Sequence, residues 1–358
     1  EEKGVKPMSN INSPALAAKA KAMYGQRLKK EDYEELLRKG SVAEIAGYLK
    51  NETDYASTMR DIYENRIHRG QLEGLIRQNM YEKIEKLLKF CMLTKNRFYR
   101  MNIVKREIEI IILALRSIMP DKSEDDEAYD VMVRDIPLSL SDYFSFNVDE
   151  ISEIMTYEDI LNILSSTPYQ KIIRPYKVEK GEKIDFASIE RDLYRYYYTY
   201  VFKVIDENFS GKKKKELTDI YRTQIELLNI IKIYRFKKFF KVTNDQIRKS
   251  MVTLKSRMSD SFINELIEEP TAERVLQRLE ESKYKLFVDD LDYTYIEYYA
   301  NEIRYNLAKR YMHFSIESPI VFTVYSILLE IEITNIINIV EAIRYDTPRS
   351  EIEKLLIY

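Results

Sequence analysis

Glycine is scarce in this chain: eight in 358 residues, about 2% against an ordinary ~7%. After Gly74 only Gly181 and Gly211 remain. Tight strand turns and phosphate-cradling loops depend on glycine, so neither is expected over most of the sequence. One cysteine, Cys91, excludes an internal disulfide and fits a reducing compartment. Two histidines, His68 and His313, leave no multi-histidine metal site. Tryptophan is absent, and neither sign of charge dominates: 59 acidic residues face 57 basic ones, a net of −2. No global basic field exists to gather a nucleic-acid backbone. No Walker-type glycine-lysine loop is present. The first ten residues lack the apolar core of a secretory leader, and Met8 is read as the native start, with residues 1–7 an added tag.

What is present is a threefold internal echo. Ser41-Val42-Ala43-Glu44-Ile45, Thr156-Tyr157-Glu158-Asp159-Ile160 and Thr271-Ala272-Glu273-Arg274-Val275 begin 115 residues apart, at 41, 156 and 271. Each is followed by a second word ending in tyrosine: Thr53-Asp54-Tyr55, Thr167-Pro168-Tyr169 and Ser282-Lys283-Tyr284. A third word starts with glutamate: Glu107 to Ile112, Glu226 to Ile231 and Glu332 to Ile337. Self-similarity of this period, longer than a solenoid repeat, predicts three related helical lobes. The expected division is a tail, residues 1–23, then repeats over 24–145, 146–255 and 256–358.

The fold class expected is all-α. No segment alternates apolar and polar residues long enough for a sheet. Ser41 with Glu44, and Thr156 with Asp159, have capping-box spacing. Thr167-Pro168, Ser318-Pro319 and Thr347-Pro348 each place a capping hydroxyl before a proline. Long helices are expected over 56–94, 97–119, 185–209, 212–241, 286–314 and 319–345, so that each unit is a short capped helix followed by a long pair. Pro120 to Pro137 reads as an acidic loop, 168–184 as an irregular connection, and Asn208 to Gly211 as a hairpin turn. The longest uncharged stretch of the apolar C-terminal region, Ser318 to Leu329, falls short of the roughly 20 residues a membrane span needs. Of the 29 tyrosines, five crowd the helix at Tyr194–Tyr200 and five its counterpart at Tyr293–Tyr305; their rings suit packed seams that still offer a hydroxyl a partner.

The candidate site residues are Glu107, Glu226 and Glu332, with Asn229 and Asn335 three residues after the last two. Glu332 falls on the stripe Phe322, Tyr325, Leu329, Ile336, Ile339 and Ile343. Each glutamate is followed at +4 and +7 by apolar residues. A carboxylate there must be paired or hydrogen-bonded. It is either an acid or ion ligand of shifted pKa or a structural tie between helices, and recurrence in three units favours the tie. Asp126 to Asp130 and Asp289 to Asp292 bring to mind the Mg²⁺-binding aspartates of helical prenyl-transfer enzymes, but lack their spacing on facing helices. Lys212 to Lys215 could meet an anionic membrane surface or an acidic partner, or be solvated. No catalytic set, cofactor site or metal site is expected.

The C-terminal stretch Pro319 to Tyr325, then Glu330, Glu332, Asn335 to Ile339 and Ile343-Arg344, resembles the ending of the central-stalk adaptor of V-type rotary ATPases. That adaptor is called C in prokaryotes and d in eukaryotes. The resemblance implies a funnel of three helical lobes about a pseudo-threefold axis. It implies seating on the membrane ring of ion-carrying subunits, contact with the central shaft (D and F type subunits), and the stator membrane subunit as a further neighbour. It further implies a peripheral place on the cytoplasmic face and transmission of torque without catalysis. The competing expectations are an all-helical Mg²⁺-dependent enzyme of isoprenoid type and a soluble helical scaffold.

Overall fold

A computed structural model describes residues 11–119, 143–179, 181–240, 242–254, 256, 258–282, 296–345 and 347–358. Every regular element among these residues is helical. The chain opens with α1 (Pro14–Tyr24) and α2 (Lys30–Leu36). The first repeat word forms α3 (Val42–Glu52), and the hairpin α4 (Arg69–Phe90) and α5 (Met101–Ser117) follows. The second word forms α6 (Tyr157–Ile163), then α7 (Pro168–Ile173) and the long pair α8 (Phe186–Asn208) and α9 (Gly211–Phe239). After α10 (Asn244–Ser250) and α11 (Asp260–Glu268), the third word forms α12 (Ala272–Glu281). The pair α13 (Ile296–Phe314) and α14 (Ser318–Arg344) precedes the terminal α15 (Arg349–Glu353).

The three words start their helices by one device. The hydroxyls of Ser41, Thr156 and Thr271 each accept the backbone N–H three residues on, satisfying a donor that the first turn leaves free. Thr156 and Asp159 complete a reciprocal box. In the first word Glu44 reaches back to Gly40 N–H, one residue before the cap. The hydroxyl-proline pairs behave otherwise. Thr167 precedes a helix with Pro168 in its first turn, but its hydroxyl donates to Leu164 O and closes off the preceding helix. Ser318 lies inside α14, whose N-cap is Glu317, and its hydroxyl donates to Ser13 O at the start of α1. Pro348 is itself the N-cap of α15. In the first two pairs the hydroxyl closes a neighbouring element instead of its own helix.

Two helix boundaries also differ from expectation. The helix expected from residue 56 begins at Arg69, after turns and a 3-10 segment at Glu64–Arg66. Thr53 hydroxyl donates to Leu49 O and stops α3; the chain then leaves the helical path to sink Tyr55 and Met59 into the core. The stretch expected to be irregular from residue 168 contains α7 and a 3-10 turn, Arg174–Tyr176. Pro168 is tolerated in a first turn, and Tyr169 and Ile173, four apart, bury one face. The acidic loop at 120–137 lies outside the described residues. The turn at Asn208–Gly211 is present, with Gly211 at φ +57°, a conformation side chains disfavour.

The core explains the rest. In α14 the buried positions run all round the helix, including Ile320, Val321, Val324, Leu328, Ile331 and Ile336. A helix apolar on every side must be enclosed, and α1, α4, α9 and α13 pack about it. Ser318–Ile343 is long and apolar enough to cross a bilayer, but 83% of its most apolar window is buried inside the protein. A second apolar core joins the end of α9 to α10, α11 and α12, through Ile233, Tyr234, Met258, Leu266 and Val275. Ile336 is fully enclosed. Ile336→Ala should therefore lower unfolding free energy by about 2–5 kcal/mol, read from urea denaturation; a change below about 1 kcal/mol would mean that the packing around α14 relaxes freely.

Candidate functional site

The three repeated glutamates lie on α5, α9 and α14, and all three are buried. Glu332 receives two hydrogen bonds: Leu28 N–H donates to Oε2 at 2.9 Å and the Tyr55 hydroxyl to Oε1 at 2.8 Å. Glu107 receives the matching pair, from Ser145 N–H at 2.5 Å and the Tyr169 hydroxyl at 2.5 Å. Glu226 accepts Met258 N–H at 3.2 Å. Leu28, Ser145 and Met258 precede the caps at 41, 156 and 271 by thirteen, eleven and thirteen residues. The tyrosines close the second repeat word; the third of them, Tyr284, lies outside the described residues. Each glutamate thus bonds the backbone ahead of the next repeat, and the last, Glu332, returns to the first across 304 residues of sequence.

Each of the two asparagines bonds both the N–H and the C=O of a single residue. Asn229 Nδ2 donates to Val252 O and its Oδ1 accepts Val252 N–H, both at 3.0 Å. Asn335 does the same to Ile357, at 2.7 and 3.1 Å. The partners lie 23 and 22 residues downstream. These bonds pin the chain that follows each long helix onto that helix. In α5 the corresponding position is Ile110, fully buried and unable to make such a bond.

A second cluster was not anticipated from the sequence. Glu330 on α14 accepts Lys105 of α5 at 2.5 Å and Arg304 of α13 at 2.5 Å. Arg304 also holds Asn301, and Lys105 approaches Glu109 at 3.9 Å. Tyr197, Tyr198 and Tyr221 lie buried within electrostatic range of Glu330. Lys105 stands two residues before Glu107, and Glu330 two before Glu332, so corresponding positions of the first and third repeats meet as an ion pair. The offset and the opposite charges are both visible in the sequence; only the pairing across 225 residues is not.

Glu330 and Glu332 titrate in opposite directions. Burial alone would raise Glu330, but the charges of Lys105 and Arg304 and their hydrogen bonds outweigh it and hold the carboxyl at about 2. For Glu332 burial prevails and the pKa is raised, although the charge of Lys83, the Tyr55 hydroxyl and Leu28 N–H oppose the rise. Burial, then the charge of Glu332, pushes the Tyr55 hydroxyl well above its ordinary value. Burial, then Glu107, does the same to Tyr169. Among the described residues no three His, Cys, Asp or Glu side chains gather to hold a metal ion. The aspartate runs at 126–130 and 289–292 lie outside those residues. A cleft of about 340 Å³ lies between α13, α14 and α15, lined by Tyr298, Asn338, Glu341 and Tyr345 among others.

The three repeated glutamates are thus hydrogen-bonded to backbone or hydroxyl groups far from them in sequence, and comparison with known proteins shows the family. The sequence profile described as ATP synthase (C/AC39) subunit matches residues 16–355. The chain belongs to this family. It is 24% identical over 273 residues to the C subunit of the A-type ATP synthase of Methanosarcina mazei, covering 73% of this chain and 71% of that protein. Against the C subunit of the A-type ATP synthase of Methanosarcina barkeri it is 22% identical over 264 residues, covering 71% and 69%. The corresponding C subunit of the A-type ATP synthase of Thermococcus kodakarensis is 24% identical over 222 residues, covering 62% and 56%.

The opposed titrations make a testable pair. The Glu330 contribution is complete above its unfolded pKa, about 4.5, and is lost as pH falls toward about 2; it amounts to about 3 kcal/mol. Glu332 favours the fold when protonated, an advantage complete below the ordinary carboxyl range and lost as pH rises through its raised pKa. In urea midpoints measured across this range, Glu330→Gln should shrink the acid-side loss and Glu332→Gln the loss on the rising side. Identical pH profiles for wild type and both variants would contradict the assignment.

Proposed function

We propose that this chain is a non-catalytic central-stalk subunit of a rotary ion-translocating ATPase, at the cytoplasmic face of its membrane. In this reading it seats on the ring of ion-carrying subunits and receives the foot of the shaft, built of D and F type subunits. Three lobes, over residues 24–145, 146–255 and 256–358, would stand about a pseudo-threefold axis and transmit torque between shaft and ring. The observation that carries the reading is the family match over residues 16–355. The circuit from Glu107 to Tyr169, from Glu226 to Met258 and from Glu332 to Tyr55 supports it. A connector that is turned must resist shear between its parts, and buried acceptors are costly to part from their donors. Five named residues serve as ties in this account: Glu107, Glu226, Asn229, Glu332 and Asn335.

Two measurements test it. The purified chain should hydrolyse no ATP above a protein-free blank, and turnover that persists through rigorous purification counts against the reading. Capture of the chain from its native membranes should bring down ring and shaft subunits, and their absence from the captured complex rejects the assignment. Glu332→Leu leaves Tyr55 hydroxyl and Leu28 N–H without their acceptor. It should cost on the order of 2–4 kcal/mol and weaken assembly while leaving ion preference untouched.

A further inference from the structure

The three long hairpins turn at one end of the molecule. Arg97, between α4 and α5, pairs with Glu207 at the end of α8 at 2.9 Å, and Phe98 meets Phe209 edge-on at 5.1 Å. Lys213 at the start of α9 pairs with Glu317 before α14 at 2.5 Å. Helix α1 links the outer two turns: the Lys19 ammonium lies 5.1 Å from the Phe90 ring centre, and Lys21 donates to His313 O at 3.4 Å. At this shared end four large apolar side chains face outward: Phe90 (56% exposed), Met92 (89%), Phe314 (84%) and Ile316 (83%). Met92 holds φ at +53°, the sole positive value at a non-glycine residue among those described. Such backbone is strained, and strain of this kind gathers at functional positions.

Charge at this end departs from the near balance of the whole chain. Asp206, Glu207 and Glu317 are each engaged, by Lys214, Arg97 and Lys213. Lys95 and Lys215 are exposed, and Lys212 is 87% exposed with only a loose 3.9 Å approach to Glu216. A surplus of lysines therefore surrounds protruding apolar tips, although the chain's net charge is −2.

We propose that this hairpin-tip end rests directly on an anionic phospholipid surface. Met92, Phe314 and Ile316 enter the boundary between headgroups and acyl chains, while Lys95, Lys212 and Lys215 face the phosphates. Protruding apolar side chains with flanking lysines are the pattern of an interfacial anchor, and each lysine near such a surface adds to the attraction. The tips rise from separate turns, as single side chains entering a fluid surface do. The proposal stands apart from the rotary assignment, since lipid binding can hold where stalk assembly fails, and the reverse.

Sedimentation of the full chain with vesicles of phosphatidylcholine, with and without phosphatidylglycerol, tests it. Binding should require phosphatidylglycerol and weaken as salt rises. Replacing Lys95, Lys212 and Lys215 together by Ser should reduce it on the order of a hundredfold. Met92→Glu and Phe314→Ser change exposed positions, so their helical circular dichroism should match wild type while vesicle binding falls. Equal binding to neutral and anionic vesicles, or full binding by these variants, overturns the proposal. So does a wild-type chain that ignores vesicles while the tip variants lose capture by the detergent-solubilised ring; that outcome makes this end a protein interface.

Discussion

A carboxyl group inside a protein must be given hydrogen-bond partners, and in this chain those of each repeated glutamate come from the stretch that leads into the next repeat's capped helix or from just beyond it. Glu107 on α5 takes Ser145 N–H and the Tyr169 hydroxyl; Glu332 on α14 takes Leu28 N–H and the Tyr55 hydroxyl. The long helix of one repeat and the turns that open the next must therefore be in place together, because a glutamate without its neighbour would be buried and unpaired. The return of Glu332 to residues 28 and 55 extends this dependence from the end of the chain to its beginning.

Two kinds of polar contact divide the work within α14. Glu332, Asn335 and their partners use directional bonds to backbone and hydroxyl groups, which fix register. Glu330, two residues earlier, uses the charges of Lys105 and Arg304. Residues two apart on a helix face different sides, so one helix presents an ion pair to α5 and α13 and a hydrogen-bonded clasp to the turns around Leu28 and Tyr55. The opposite titration of the two glutamates follows mainly from that difference in partners: two cations meet Glu330, whereas neutral donors meet the more deeply buried Glu332. The tyrosine-rich seams fit the same scheme: Tyr55 and Tyr169 each insert an aromatic ring into the core and spend the hydroxyl on a carboxylate.

Much of this was legible in the sequence, for reasons specific to particular residues. The all-helical class followed from the lack of glycine and of strand alternation. The caps at Ser41 and Thr156 followed from residue type and position, since capping is decided within four residues, and Thr271, at the matching place of the third repeat word, caps in the same way. The glutamates stood out because a charge on an apolar stripe has few explanations. What was not legible depends on distant partners. Nothing local says that Tyr55 must leave a helical path to reach Glu332, so the helix beginning at Arg69 was expected at residue 56. Nor does local sequence say that Ser318 hydroxyl will donate to Ser13 O, when its position before Pro319 suits a cap. The Lys105–Glu330 pair was missed because each residue alone looks like an ordinary surface charge.

The stripe drawn through Phe322, Tyr325 and Glu332 was also too narrow, and the reason bears on mechanics. A one-sided stripe suits a helix at the edge of a bundle, whereas α14 is enclosed by α1, α4, α9 and α13. An enclosed helix cannot rotate or slide without disturbing several neighbours at once, because close-packed interiors have no slack. Its polar residues then act as stops at defined heights: Ser326 with Asn102, Glu330 with Lys105, Glu332 with Tyr55, Asn335 with Ile357. A load applied at one end of α14 would meet these contacts along much of the helix, in parallel with the packing. Resistance of that kind would need no reactive group, since it would come from buried polar side chains bonded to distant backbone and side-chain groups.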